Sequence, residues 1–168
     1  MTRLPSADIT WRADGSPQST RFDDIYFSSE DGLAETTYVF LQGNDLPNAW
    51  ADKTHFTIGE LGFGTGLNFL ATWALWRETR SPDQYLHFIS IEGFPLSSEE
   101  LSQALEKWPS LALLATELLA HYPAQHSGTH LLHLPDNISL TLCEDEAVPA
   151  LSQLEAQVDA WFFDGFSP

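Results

Sequence analysis

The chain is short of basic charge, of cysteine and of long apolar runs. Of its 168 residues, 7 are Lys or Arg against 24 Asp or Glu, a formal charge of −17. Affinity for a phosphate backbone comes mainly from Lys and Arg, so this balance argues against a nucleic-acid binder that works alone. The shortage deepens along the chain, because Lys107 is the last Lys or Arg and eight Asp or Glu follow it. Cys143 is the single cysteine, which excludes an internal disulfide and a cysteine-based zinc cluster. No stretch approaches the roughly 20 apolar residues that cross a bilayer. The opening Met1-Thr2-Arg3-Leu4-Pro5-Ser6 lacks the apolar core of a signal peptide. The expectation is a soluble cytoplasmic protein, where reduction also suits a lone thiol.

Core-forming residues are plentiful. Six Trp, eleven Phe and a 43% hydrophobic fraction can bury enough surface to offset ordering entropy, which excludes wide disorder. The length fits one domain. Residues 1–54 read as an irregular, β-rich extension. Asp8 to Trp11 is a candidate strand, Asp14-Gly15-Ser16-Pro17 a turn, and Leu33 to Leu41 a candidate helix.

Regular alternation starts near His55. His55 to Leu61 reads as a buried strand. Leu67, Leu70, Ala71, Ala74 and Leu75 then recur at helical spacing. Tyr85 to Glu92 is a second strand. Ser97 and Glu100 form a capping box that opens a helix carrying Leu101, Leu105 and Trp108, and Pro109 starts another helix. Thr129 to Leu134 and Ile138 to Cys143 are strands around the Pro135-Asp136-Asn137 turn. Pro149 to Gln157 fits a short helix, and Val158 to Phe163 a final strand. Strands alternating with helices predict an α/β fold with a parallel sheet.

The Gly62-Phe63-Gly64-Thr65-Gly66 turn joins the first core strand to its helix. Glycines there let the backbone turn tightly and a ligand approach closely. A dinucleotide pattern would place its third glycine at position 67, which is Leu; the spacing is the one found in S-adenosylmethionine (SAM) methyltransferases. Glu92, at the end of the next strand, is a candidate acceptor for both ribose hydroxyls. Asp145, after the third, is a candidate partner of the adenine amino group. In an open sheet, ligands sit beyond the carboxyl ends of the strands, so a strand order of 3-2-1-4 brings these residues to one crevice. Asp164 would reach the same edge. It could accept an N–H hydrogen bond from an amine, orient its lone pair and stabilise the developing ammonium. Phe166 could offer that cation a ring face. The competing readings are structural: a tight strand-to-helix turn, a solvated loop acid at Asp145 and an ordinary turn at Asp164. Trp73, Trp76, Trp108 and Trp161 read as packing residues, and Cys143 as a small buried hydrophobe. His121, His126, His130 and His133 cluster without a recognised zinc spacing, and no metal site is expected.

With these residues laid out, the chain resembles the N-terminal methyltransferase domain of the bifunctional tRNA 5-methylaminomethyl-2-thiouridine biosynthesis proteins. The resemblance is carried by Phe22-Asp23-Asp24-Ile25-Tyr26-Phe27-Ser28, Asp31 to Thr36, Tyr38 to Leu41, Glu60 to Leu70, Leu86 to Glu92 and Asp159 to Phe166. It implies a Rossmann-like fold over residues 55–168 and SAM-dependent methylation of an aminomethyl group on the wobble uridine of tRNA. It implies Glu60, Gly62, Gly64, Gly66, Asn68, Glu92 and Asp145 as cofactor-binding residues, Asp164 and Phe166 as catalytic, and Tyr26 and Phe27 on the substrate side. It further implies a C-terminal FAD-dependent oxidase domain that exposes the amine. Gly93, where similar proteins carry Lys, and Glu144, where Gly is usual, depart from the pattern. The family's motif continues past Pro168 and such a sheet has about seven strands, so the chain is expected to be a truncated, inactive piece whose last strand is an exposed edge. Two other classes stay open. One is a nicotinamide-dependent oxidoreductase on the same turn, against which Leu67 speaks. The other is a non-catalytic fragment needing its missing half.

Overall fold

The computed structural model describes residues 5–28, 31–124 and 127–165. Its centre is a five-stranded sheet built from β4 (His55–Leu61), β5 (Tyr85–Ile91), β6 (Gly128–Leu134), β7 (Ile138–Glu144) and β8 (Ala160–Phe163). The strand order is β6-β7-β5-β4-β8. β4 pairs in parallel with β5 on one side and β8 on the other, and β5 pairs in parallel with β7. This is the 3-2-1-4 order that the ligand argument required. β6 is antiparallel to β7 and joins it through the tight three-residue turn Pro135-Asp136-Asn137, in which Asp136 and Asn137 both have positive φ.

A smaller three-stranded sheet precedes it, in the order β1 (Ile9–Trp11), β2 (Pro17–Ser19), β3 (Asp24–Ile25). The chain then coils through α1 (Gly32–Thr36), a π-helical turn (Thr37–Leu41) and two short 3₁₀ turns. These residues have no core of their own. Phe27, Leu41, Leu46 and Trp50 are buried in the same cluster as the strands Phe56, Phe88 and Phe162.

The helix after the glycine turn, α2 (Leu67–Thr79), explains why that cluster extends so far. Leu67 through Trp73 and Trp76 are all buried. A helix that is apolar on nearly every side has to be covered on nearly every side, and the N-terminal segment supplies one cover while the sheet supplies the other. Buried indoles need partners for their N–H groups. Trp73 Nε1 donates to Asp136 Oδ2 at 2.8 Å, Trp76 Nε1 to the Asp136 carbonyl at 2.8 Å, and Trp50 Nε1 to Thr79 Oγ1 at 3.2 Å. Burial alone would raise the Asp136 carboxyl, but the Trp73 and Arg77 hydrogen bonds and the charges of Arg77 and Arg80 hold it below its ordinary range.

The remaining helices follow local signals, with shifted ends. The Ser97–Glu100 capping box forms in both directions and opens α3 (Ser98–Leu105), so Trp108 lies beyond that helix. A 3₁₀ turn at Pro109–Leu111 leads into α4 (Ala112–His121). The last helix, α5, spans Ala147–Gln153 rather than residues 149–157. Pro149 sits in its first turn, where a missing N–H costs nothing, and does not mark its start. β8 begins at Ala160, two residues later than its apolar pattern predicts. Among the described residues, no helix is long and apolar enough to cross a membrane.

Asp136 holds Trp73 and Arg77 (2.7 Å) on its carboxylate and Trp76 on its backbone carbonyl, all at one hairpin turn. Asp136→Ala leaves the buried Trp73 N–H unpartnered. It should cost about 2–3 kcal/mol in urea unfolding. Arg80→Ala, which removes only a 3.9 Å contact, should cost under about 1 kcal/mol.

Candidate active site

A cleft of about 930 Å³ opens at the carboxyl ends of the parallel strands, within the usual range for small-molecule sites. Its floor comes from the ends of β4, β5 and β8 and the start of α2. The N-terminal segment, from Arg21 to Ser28 and from Gly32 to Phe40, closes the other side.

The glycine turn shapes the floor. Gly62 has φ 89°, and a side chain there would place its Cβ 2.7 Å from the Asp164 carbonyl oxygen. The backbone leaving β8 therefore crosses the turn directly over Gly62, and Asp164 N–H donates to the Leu61 carbonyl at 3.1 Å. Gly64 has φ 52°, and its Cβ would lie 3.2 Å from the Tyr26 ring. Gly66 lies at the α2 N-cap, packed beneath the Phe63 ring. It supports the turn without bordering the cleft.

Glu92 follows β5 and is buried to 9% exposure at the cleft wall. The Gly64 N–H donates to its Oε2 at 2.9 Å and the Phe94 N–H to its Oε1 at 2.8 Å. Burial raises its pKa on balance; backbone bonds from Gly64, Phe94 and Phe63 oppose the rise and Glu144 adds to it. Each oxygen keeps a further lone pair for a ligand hydroxyl. Tyr26 faces the same region. Burial, with Glu92 and Glu100 nearby, raises its phenol, so it stays protonated.

Asp164 ends the cleft opposite Glu92. Its Oδ2 accepts from Asn68 Nδ2 at 2.7 Å. Burial pushes its pKa up to about 6, against the Asn68 bond, with Glu35 and Asp24 adding to the rise. The carboxylate is thus mostly ionised at neutral pH and close to its titration. Among the described residues, the lining carries one Lys or Arg, Arg21, against Asp24, Glu35, Glu92, Glu146 and Asp164. Such a cleft favours cations.

Besides Gly66, two predicted cofactor residues, Glu60 and Asp145, lie outside the lining, and Asn68, which borders it, is engaged elsewhere. Glu60 lies under the floor at 1% exposure and does not line the cleft. It accepts from Ser90 Oγ at 2.6 Å and from Asn68 Nδ2 at 3.1 Å. Asn68 is spent on Asp164, Glu60 and Thr36. Asp145 is exposed and outside the lining; its carboxylate turns back to accept the Glu146 N–H at 2.8 Å. Glu146 and Ala147 border the cleft in its place. Phe27 reaches the lining but is mainly a packing residue, 5.4 Å from Trp108 in an edge-on contact. Phe166 falls outside the described residues.

The sequence reading missed Thr36, Ser90 and the cleft-mouth cluster in which Arg21 lies 4.5 Å over the Phe94 ring and Phe22 meets that ring edge-on. Thr36 stands 32 residues from its partner Asn68, a separation with no sequence signature. Phe94 had one signal, its place two residues beyond Glu92.

Folding raises Glu60 from an ordinary 4.5 to about 8, chiefly by burial. The folded chain therefore holds a proton that the unfolded chain releases. The associated stabilisation is complete below about pH 4.5 and lost as pH rises through about 8. Stability from urea titrations should fall between about pH 5 and 8, and Glu60→Gln should flatten that slope.

Residues 109–168 match a family described as S-adenosyl-L-methionine-dependent methyltransferase. Along 98% of its length the chain is 52% identical to the tRNA 5-methylaminomethyl-2-thiouridine biosynthesis bifunctional protein MnmC of Marinobacter nauticus, of which it covers 27%. It is 45% identical over 96% of its length to the same-named protein of Maricaulis maris, covering 28% of it. The chain thus spans about a quarter of the length of the curated relatives it matches. The crystal structure of MNMC2 from Aquifex aeolicus superposes with a TM-score of 0.67 over 98% of this chain and 51% of that one, at 21% identity. The fold is α/β and Rossmann-like, residues 109–168 match a SAM-dependent methyltransferase family, and the sequence is similar along nearly its whole length to the N-terminal portion of the MnmC bifunctional proteins.

Proposed function

We propose that the chain binds SAM and methylates the 5-aminomethyl nitrogen of the wobble (2-thio)uridine in tRNA, the last step of 5-methylaminomethyl-2-thiouridine synthesis. The observation that carries this reading is the meeting of the glycine turn, Glu92 and Asp164 in one acidic cleft. The names of the relatives supply the nucleic acid and the nucleoside. The methyltransferase match favours this over a nicotinamide enzyme.

The residues present fit SAM. Glu92, fixed by two backbone N–H groups, accepts ribose hydroxyls. The bare backbone at Gly64 lets the cofactor approach the floor, and the acidic lining suits its positive charge. The cofactor supplies an electrophilic methyl group on its sulfonium. Asp164 accepts an N–H of the substrate amine through its free oxygen. This aims the nitrogen lone pair along the transfer line and stabilises the positive charge that develops there. The neutral Tyr26 phenol stands at the cleft wall, and the role proposed for Phe166 is a cation–π contact with the ammonium. Asp145 has no role at the adenine in this reading.

The same reading gives residues 55–168 the cofactor and residues 1–54 the substrate-side wall. A C-terminal FAD-dependent oxidase domain of the same polypeptide would deliver the free amine. The basic surface for tRNA lies outside this acidic chain, and a tRNA substrate places the protein in the cytoplasm.

Calorimetry with SAM and with NADH tests the cofactor: SAM should bind and NADH should not. Gly64→Asp, which sets a charge beside Glu92 and a side chain against Tyr26, should abolish SAM binding. Asp164→Ala should keep SAM binding and slow methyl transfer to undermethylated tRNA by roughly 10²–10⁴-fold. Because Asp164 acts ionised, the rate should fall about tenfold per pH unit below about pH 6. NADH binding in place of SAM, or an unchanged rate in Asp164→Ala, would overturn the reading.

A further inference from the structure

At the cleft floor and beneath it, four polar side chains from four elements form one buried assembly, with Thr36 and Asn68 bordering the cleft. Thr36 comes from α1, Glu60 from β4, Asn68 from α2 and Ser90 from β5, and none is more than 4% exposed. Asn68 is the hub. Its amide nitrogen donates to Asp164 Oδ2 at 2.7 Å and to Glu60 Oε1 at 3.1 Å. Its amide oxygen accepts from Thr36 Oγ1 at 2.8 Å. Ser90 Oγ closes the far side by donating to Glu60 Oε2 at 2.6 Å.

This network sets which way the amide faces. An amide has two N–H donors and one carbonyl oxygen. Both donors are engaged with carboxyl oxygens, and the carbonyl is engaged with a hydroxyl. Turning the amide over would place its oxygen against the Asp164 carboxylate. The Thr36 hydroxyl opposes that flip by holding the oxygen on its own side. Ser90 and the second Glu60 oxygen fix Glu60 in turn. One oxygen of Asp164 is thereby held from below while the other stays available in the cleft.

We propose that Asn68 is a positioning residue for Asp164, and that Thr36 acts on Asp164 through the Asn68 amide. The consequence for catalysis rests on the methyl-transfer reading; the coupling itself does not. Asn68 also separates two acids of different charge. Glu60, pushed up to about 8, is neutral at pH 7, whereas Asp164, at about 6, is ionised. The neutral Glu60 accepts one amide N–H without repelling the carboxylate that takes the other. Thr36 makes the N-terminal segment a contributor to the charge state of a residue 128 positions away.

Carbon-13 NMR of the Asp side-chain carboxyls tests the coupling. The Asp164 signal is assigned by its loss in Asp164→Asn. Its midpoint in the wild-type chain should lie near about 6. Asn68→Ala removes a hydrogen bond to the ionised form, so the midpoint should rise by about one pH unit. Thr36→Val keeps shape and loses only the hydroxyl. It should raise the midpoint by a smaller amount, and add nothing in the Asn68→Ala background, because the path runs through the amide. An unmoved Asp164 in Thr36→Val, or an equal shift with and without Asn68, would overturn the proposal. Thr36→Val alone decides it should Asn68→Ala fail to fold. Calorimetry with SAM on the wild-type chain reports separately on the cofactor: a chain that binds none refutes that reading and leaves the coupling to the titrations.

Discussion

The site depends on β4 being paired in parallel on both sides. Because β5 and β8 run with it, all three strands end at one edge of the sheet, and the turn at Gly62, the carboxylate of Glu92 and the carboxylate of Asp164 arrive together. The tight point is the crossing of Gly62 by the backbone at Asp164, where the carbonyl oxygen occupies the space of a Cβ. A glycine is required there by the neighbouring strand as much as by any ligand. The motif thus has two physical causes at adjacent residues: Gly62 admits β8, and Gly64 leaves an open approach beside Glu92.

Electrostatics sets the second constraint. Glu60 and Glu92 are buried and Asp164 stands at the exposed side of the same cleft, and desolvation raises all three. Three adjacent carboxylates would repel if all were ionised. The structure resolves this by depth. Glu60, at the bottom, keeps its proton at neutral pH. Glu92 receives two backbone N–H groups. Asp164, nearest the opening, is left close to its own titration with one amide donor.

Much of this was legible from local patterns. The alternation of strand and helix, the capping box at Ser97 and Glu100 and the glycine turn each follow from a few neighbouring residues, whereas the strand order entered only as a condition for the site to converge. Helix ends were less so: Pro149 fits inside a first turn as well as at a start, and the apolar run into β8 began before the pairing did. The site was legible in its residues but not in their jobs. Glu60 and Asn68 belong to the same stretch as the glycines, yet their contacts run downward to Ser90 and sideways to Thr36, residues far away in sequence. Asp145 had the right position after its strand, but the Glu146 N–H claimed its carboxylate. Spacing along the chain says which loop a side chain sits on and not which way it turns.

The pairing of β4 with β8 sets Ile58 beside Ala160, so β4 waits for a strand that follows it far along the chain. During synthesis about a hundred residues emerge between the two, and β4, β5 and the hairpin of β6 and β7 are out of the ribosome well before the last partner. Contacts between distant parts of a chain form slowly, since their loop must close first. The Asp164 carboxylate therefore reaches the cleft after the glycine turn and Glu92, and the acidic floor exists at first without β8 beside it.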